Sequence, residues 1–241
     1  DQDSQSLVLH PAFERLTEGE SDIFSVNSDG TGLTRLTDRL GFQTEASWSP
    51  DGSRIVYTSS PPALNSTGPA TYTIWVMNAD GSGQLLLTET AGNTWPVFSP
   101  DGRQIVYLRC TADAITVYVM NADGSGQTGV AEPHSTAEQP QPAWSPSGNI
   151  IFIRGGVLYE VNPGGSGLAP LVSGCSVEYG YALSPDGRTL AYYDRPGNRI
   201  DLSPRRHRLR LFLQYVRIAL AARRFVLALD QQPVLALFAR L

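Results

Sequence analysis

Lysine is missing altogether: all 18 cationic side chains are arginine. We read this as a coding bias toward GC-rich codons and not as chemistry. Cysteine is scarce, with only Cys110 and Cys175, and no C-x-x-C spacing is present. That excludes zinc-ribbon and thioredoxin-like motifs. A disulfide between the two cysteines stays open, because position along a chain does not establish proximity. Histidine is limited to His10, His134 and His207, and no two of them are near each other at helical metal spacing. No apolar run approaches the ~20 residues that span a bilayer. No leader-like segment opens the chain, and a mature or clipped start would read the same way.

Charge is sparse and uneven. Charged residues make up 17% of the 241 residues, hydrophobic ones 41%, and the formal net charge is −5. That balance suits a folded domain and argues against wholesale disorder. Residues 201–241 hold eight arginines against Asp201 and Asp230, a net +6, so the rest of the chain carries −11. An acidic body repels a phosphate backbone, which makes nucleic acid an unsuitable partner.

What the sequence has in abundance is repetition. WSPDGSRIVY begins at Trp48, FSPDGRQIVY at Phe98, WSPSGNIIFI at Trp144 and LSPDGRTLAY at Leu183. Their serines, Ser49, Ser99, Ser145 and Ser184, are spaced by 50, 46 and 39 residues. A second motif interleaves: IFSVNSDGTG from Ile23, IWVMNADGSG from Ile74, VYVMNADGSG from Val117 and LYEVNPGGSG from Leu158. Two turn motifs alternating at this period match a four-stranded propeller blade. In Ser-Pro-Asp-Gly, proline presets one turn position, aspartate bonds back to the local backbone, and glycine takes φ > 0. Ile55–Tyr57 and Ile105–Tyr107 are consecutive apolar residues, as expected of strands covered on both faces. Met77 and Met120 share one repeat position, which reads as packing.

The expected fold is all-β: a propeller of four-stranded antiparallel blades with a C-terminal helical tail. Blade one contributes only two strands, near 22–27 and 33–37. Three full blades follow near 44–88, 93–130 and 140–172, and a half-blade of two strands lies near 179–193, giving about four blade equivalents. Residues 1–21 form an N-terminal extension, 22–199 the propeller and 200–241 a basic tail.

Four Ser-Pro turns interleaved with four Asn-x-x-Gly turns over about Asp22–Asp194 resemble the Pro-Asp propeller repeats of the TolB family, relatives of the WD-repeat propellers. The resemblance implies a usual count of six blades, a location outside the cytoplasm (periplasmic or extracellular) and a protein partner. The count here is shorter, and the helical domain that precedes the TolB propeller has no counterpart. Either the terminal half-blades zip into a closed ring, which would remove exposed sheet edges, or the chain is part of a larger propeller; we favour the second.

After Asn198 the repeat gives way to RRHRLRLFLQYVRIALAARRFVLALD. Leu209, Phe212, Leu213, Val216 and Leu220 share one helical face, and Arg210, Gln214, Arg217 and Arg224 the other, with Arg223 intruding on the apolar side. Three readings compete: a helix that lies on an anionic membrane or docks a partner, a cap over a sheet edge, and an out-of-frame translation of missing blades, which the abrupt change of composition favours.

Catalytic chemistry finds no footing. The ADGSGQ and PGGSGL strings lack the register of a nucleophile elbow, and Asp29, Asp80 and Asp123 lack the acidic series of a calcium loop. No catalytic residue, metal or cofactor is expected. Asn65-Ser66-Thr67 is a formal glycosylation sequon, here read as idle. The remaining candidates are Glu45, Trp95 and Gln141, each three residues before the aromatic of a Ser-Pro turn. If the strand ending in Ser-Pro is innermost, they line one mouth of a channel as partner-binding residues, Trp95 foremost; the plainer alternative is packing between blades. The function expected is a non-catalytic protein-binding scaffold of the cell envelope or surface. Alternatives are the gate or substrate-binding propeller of a hydrolase, a polysaccharide lyase using His134, Arg109 and Arg154, or the sensor domain of a signalling protein.

Overall fold

In this computed structural model the described residues are 12–17, 20–61, 71–131, 141–172, 177–184, 186–187, 189–194 and 199–203. All regular structure among them is β. The chain forms two compact units that divide between Val177 and Glu178.

The first unit holds four sheets in chain order. The first contains β1 (Ala12–Thr17), β2 (Glu20–Ser25) and β3 (Thr34–Arg35). The second runs β4 (Phe42–Trp48), β5 (Arg54–Ser60), β6 (Thr73–Asn78) and β7 (Leu85–Leu86). The third runs β8 (Asn93–Phe98), β9 (Gln104–Cys110), β10 (Ile115–Asn121) and β11 (Thr128–Gly129), and the fourth β12 (Ala143–Trp144), β13 (Ile150–Arg154), β14 (Val157–Val161) and β15 (Ala169–Pro170). Pairing within each sheet is antiparallel; one parallel bridge, Ser21 opposite Phe42, joins the first two sheets. The last sheet holds β16 (Val177–Leu183), β17 (Leu190–Asp194) and β18 (Arg199–Ser203), all in the second unit except Val177 at the start of β16.

Two boundaries differ from the expectation. Residues 12–17, assigned to an N-terminal extension, form β1 and pair with β2 from Ala12↔Ser25 to Thr17↔Glu20. AFERLT carries neither turn motif, so nothing in the repeat pattern marks it as a strand. At the other end the last sheet has three strands, since Arg199–Ser203 pairs with β17 although it overlaps the stretch assigned to the tail. The proposed helix from 204 onward, His10, His134, His207, Cys175 and the Asn65 sequon all lie outside the described residues.

Alternation along each second strand builds the core. Ile55 and Tyr57 pack with Ile23 and Leu36 of the first sheet, while Val56 joins Phe98, Ile105 and Tyr107 of the third. Val106 and Leu108 then face Ile150, Phe152 and Val161 of the fourth. Successive side chains of a strand point to opposite faces, so a run of three apolar residues serves two interfaces. The fourth strands are only two residues long and exposed, which blunts the outer edges against pairing with other chains.

The turns behave as their chemistry requires. Ser49 Oγ donates to Asp51 Oδ1 at 2.6 Å and accepts from Arg54 N at 2.9 Å; Ser99 repeats this with Asp101 and Gln104 at the same distances. In the second motif Ser82 Oγ donates to Asp80 Oδ1 at 2.6 Å and accepts from Asn78 Nδ2 at 3.0 Å, with equivalents at Thr31 and Ser125. These hydrogen bonds favour the ionised carboxylate, bringing Asp51 down to about 2 and lowering Asp29, Asp80, Asp101 and Asp123 as well. A carboxylate depressed on folding stabilises the fold above its ordinary pKa, and that contribution disappears as pH falls through the folded value. The unfolding midpoint is therefore expected to drop steeply between pH ~4 and ~2, and Asp51→Asn to flatten that stretch of a denaturant series run against pH.

Candidate interaction site on the first strands

Glu45, Trp95 and Gln141 occupy one repeat position, and the backbone marks all three. They are the only non-glycine residues with positive φ among those described, at 57°, 56° and 32°. Around Glu45 and Trp95 the ladder slips: β4 loses register against β5 between Thr44 and Ser47, and β8 against β9 between Thr94 and Val97. These are bulges, which leave an extra residue unpaired and re-aim its side chain. A left-handed non-glycine residue costs of order 1 kcal/mol or more and persists only where its surroundings hold it.

Hydrogen bonds between sheets do the holding. Glu45 Oε2 accepts from Trp95 N of the next sheet at 2.7 Å and from Thr58 Oγ1 of its own at 2.7 Å. The Glu45 amide in turn donates to Glu14 Oε1 of the first sheet. Each bulge thus offers an N–H that a carboxylate from the preceding sheet captures. Burial pushes the Glu14 and Glu45 carboxyls upward, against the lowering effect of these bonds, and the nearby Glu14 charge raises Glu45 further. Glu14 as a whole residue is exposed, although its Oε1 accepts from the Glu45 amide. Sequence reading missed Glu14 because it lies on β1, outside either motif.

Trp95 is not a freely exposed anchor. It is half-buried against the cluster of Val106, Leu108, Ile150 and Phe152 between the third and fourth sheets. Gln141 is also half-buried. Close by, Trp144 Nε1 donates to Val97 O of the third sheet at 3.0 Å. The buried Trp48 Nε1, at the same repeat position, has no partner; among the described residues the first sheet lacks the strand corresponding to β8.

The residues sought for other chemistry are occupied. Arg109 bonds Asn93 Oδ1 at 3.3 Å and Gln127 Oε1 at 2.8 Å, and its guanidinium lies 4.1 Å from the centre of the Tyr118 ring. Cys110 has a free thiol 3.9 Å from Thr94 Oγ1, raised in pKa by burial. Among the described residues no three of histidine, cysteine, aspartate and glutamate are grouped to hold a metal.

Four-stranded sheets that stack face to face, with inner strands bonded to one another and short outer strands, have known counterparts. TolB from Acinetobacter baumannii matches with a TM-score of 0.63 and 20% identity, over 79% of this chain and 48% of that one. The fold is a β-propeller of the TolB type. An oligogalacturonate lyase in complex with manganese shares the propeller architecture at a TM-score of 0.56 and 13% identity, over 76% of this chain and 55% of that one. In sequence, 93 residues are 34% identical to an uncharacterised protein of Agrobacterium fabrum, covering 38% of this chain and 29% of that protein. No protein-family model matches. This TolB-type propeller therefore spans about half the length of the TolB chain it matches, and its sheets can be called blades.

Proposed function

We propose that this chain is a non-catalytic, protein-binding scaffold of the cell envelope or surface, acting in the periplasm or outside the cell. The observation that carries the proposal is the recurrence of a left-handed, non-glycine residue at one position of three consecutive blades, on a bulge in two of them. The backbone conformation is kept at Glu45, Trp95 and Gln141 while the side chain changes from acid to indole to amide. A feature of pure packing would be expected to keep the side chain; a recognition surface varies it on a constant frame. Non-glycine residues in left-handed conformations also cluster at ligand-contacting positions. The shared fold with TolB supports the choice of a protein as partner and of the envelope as compartment.

The test is binding. A partner retained from envelope extract and then purified should bind the wild-type chain, and Trp95→Ala should weaken it about tenfold or more, the scale of an aromatic interface anchor. Trp95→Phe, which keeps most of the packing, serves as the stability control. Undiminished affinity in Trp95→Ala, or failure to retain any partner, would overturn the proposal.

A lyase reading has the shared fold in its favour. Against it stands Arg109, whose guanidinium is already committed to Asn93, Tyr107, Gln127 and Tyr118. Cleavage of a uronate polymer by the purified chain would revive it.

A further inference from the structure

In the second, third and fourth blades the second strand lies between two antiparallel neighbours. β5 is flanked by β4 and β6, β9 by β8 and β10, and β13 by β12 and β14. β1 holds the same place in the first blade: Phe13 stands opposite Phe24 as Tyr57 stands opposite Trp75 and Tyr107 opposite Tyr118. Yet among the described residues β1 pairs with β2 alone. Its other edge, where an innermost strand would run, has no described neighbour.

Two polar groups of the second blade register that difference. Trp144 Nε1 donates to Val97 O, a main-chain carbonyl on the innermost strand of the blade before it. Trp48 holds the same repeat position, and its buried Nε1 has no acceptor; the strand that would offer the matching carbonyl is the one lacking beside β1. The bulge amides differ in the same way. Trp95 N donates to Glu45, on the innermost strand of the preceding blade, whereas Glu45 N donates to Glu14, which comes from a second strand. Counting back from Phe13 as from Tyr57 to Trp48 leads to Ser4, and residues 1–4, DQDS, have no apolar side chain to match Phe42, Ala46 and Trp48 of β4.

We propose that β1 is an acceptor edge, which takes an extended segment of a protein partner as the innermost strand of the first blade, antiparallel to β1. The strands that fill this place elsewhere in the chain define the segment. It carries apolar side chains toward the neighbouring blade, ends in a large apolar residue followed by Ser-Pro, and presents the carbonyl just before that residue to Trp48 Nε1. Main-chain hydrogen bonds along β1 supply affinity, as in other strand additions, and the side chains supply register. Trp48 reinforces that register, because a buried donor without an acceptor is costly and a carbonyl delivered to it is rewarded. An unpaired strand edge invites such pairing by its geometry alone. This surface does not depend on Trp95 being a binding residue.

A synthetic peptide copying residues 91–100, AGNTWPVFSP, added to the isotope-labelled full chain, tests this by NMR. The Trp48 indole N–H signal, identified by its loss in Trp48→Phe, is expected to move downfield and to saturate as peptide is added. Alternate amides of Ala12–Thr17 should gain protection from hydrogen exchange at the same time. Trp48→Phe keeps most of the packing and removes the donor, so it should weaken the peptide about fivefold, the scale of one hydrogen bond. A peptide of the same composition in scrambled order should bind clearly more weakly. The proposal is overturned if the peptide leaves the β1 amides and the Trp48 signal unchanged, if the scrambled peptide binds equally well, or if Trp48→Phe binds at full strength. Should Trp48→Phe fold poorly, exchange of the wild-type β1 amides with each of the two peptides decides: protection by the ordered peptide alone supports the acceptor edge, and any other pattern refutes it.

Discussion

Gly92→Ala is expected to cost about 3 kcal/mol or more of stability, more than any other alanine substitution at a turn of this chain. Gly92 precedes β8 with φ of 87°. Its carbonyl accepts the Cys110 amide, and an added Cβ would stand 2.1 Å from the Cys110 carbonyl oxygen. That oxygen is backbone in a paired strand and has nowhere to go. The left-handed conformation alone costs an L residue roughly 1–2 kcal/mol; the collision comes on top. Gly148 separates the two effects, since its φ is 83° and nothing lies within 4 Å of its Cβ position. Urea unfolding of both variants should show Gly148→Ala losing about 1–2 kcal/mol and Gly92→Ala clearly more. Equal losses would mean that β8 and β9 shift apart at small cost.

Tyr57→Phe is expected to cost about 1–2 kcal/mol, and Gln84→Leu in the same chain to restore most of it. Tyr57 OH donates to Gln84 Oε1 at 3.3 Å, and Gln84 Nε2 donates to Gly81 O at 3.2 Å and to Leu36 O of the preceding blade at 3.4 Å. Tyr107 and Gln127 repeat the arrangement, with Leu87 O as the acceptor. Burial pushes both phenols up to about 12, so they remain donors at any physiological pH. The first and fourth blades have neither member: Phe13 stands with Leu33 and Phe152 with Leu168 at the same positions. Tyrosine goes with glutamine and phenylalanine with leucine. A half-made pair leaves an amide oxygen without its donor, whereas a fully apolar one leaves nothing unsatisfied. The double variant would copy a solution the chain already uses. A double-mutant cycle with no coupling between the two positions would show that the hydroxyl and amide act independently.

The hairpin turns were the most legible part of the molecule. Ser-Pro-Asp-Gly and Asn-x-Asp-Gly act over a few residues, through bonds that each turn makes to itself, and the strands between them had to be short. The three full blades accordingly fall where the motifs placed them. β1 and β18 were not legible because strands without a turn motif carry only a few apolar residues and depend on a neighbour for their definition. Phe13 and Phe24, stacked with centroids 6.0 Å apart across β1 and β2, are adjacent only once the register is known.

The candidate site divides the same way. Counting back from the aromatic of each Ser-Pro turn singled out Glu45, Trp95 and Gln141, because a repeat carries equivalent positions whatever they do. Sequence alone expected a side chain offered to a channel mouth; the structure shows a left-handed backbone at all three, a bulge at Glu45 and Trp95 and, for Trp95, half-burial between blades. Glu14 joined the group only through space.

What this sequence determined unaided is the unit: a four-stranded hairpin array with self-contained turns, repeated at a period that suits radial stacking. Those features are local, and local hydrogen bonds and fixed φ values are written in adjacent residues. What only the tertiary structure decided is which residues meet across blades: Glu14 with Glu45, Glu45 with Trp95, Gln84 with the carbonyl of Leu36. Such partners lie 31 to 50 residues apart. They are brought together by apolar burial on the two faces of every blade, a force without direction that leaves individual pairings to be settled by shape and by the need to satisfy each buried polar atom.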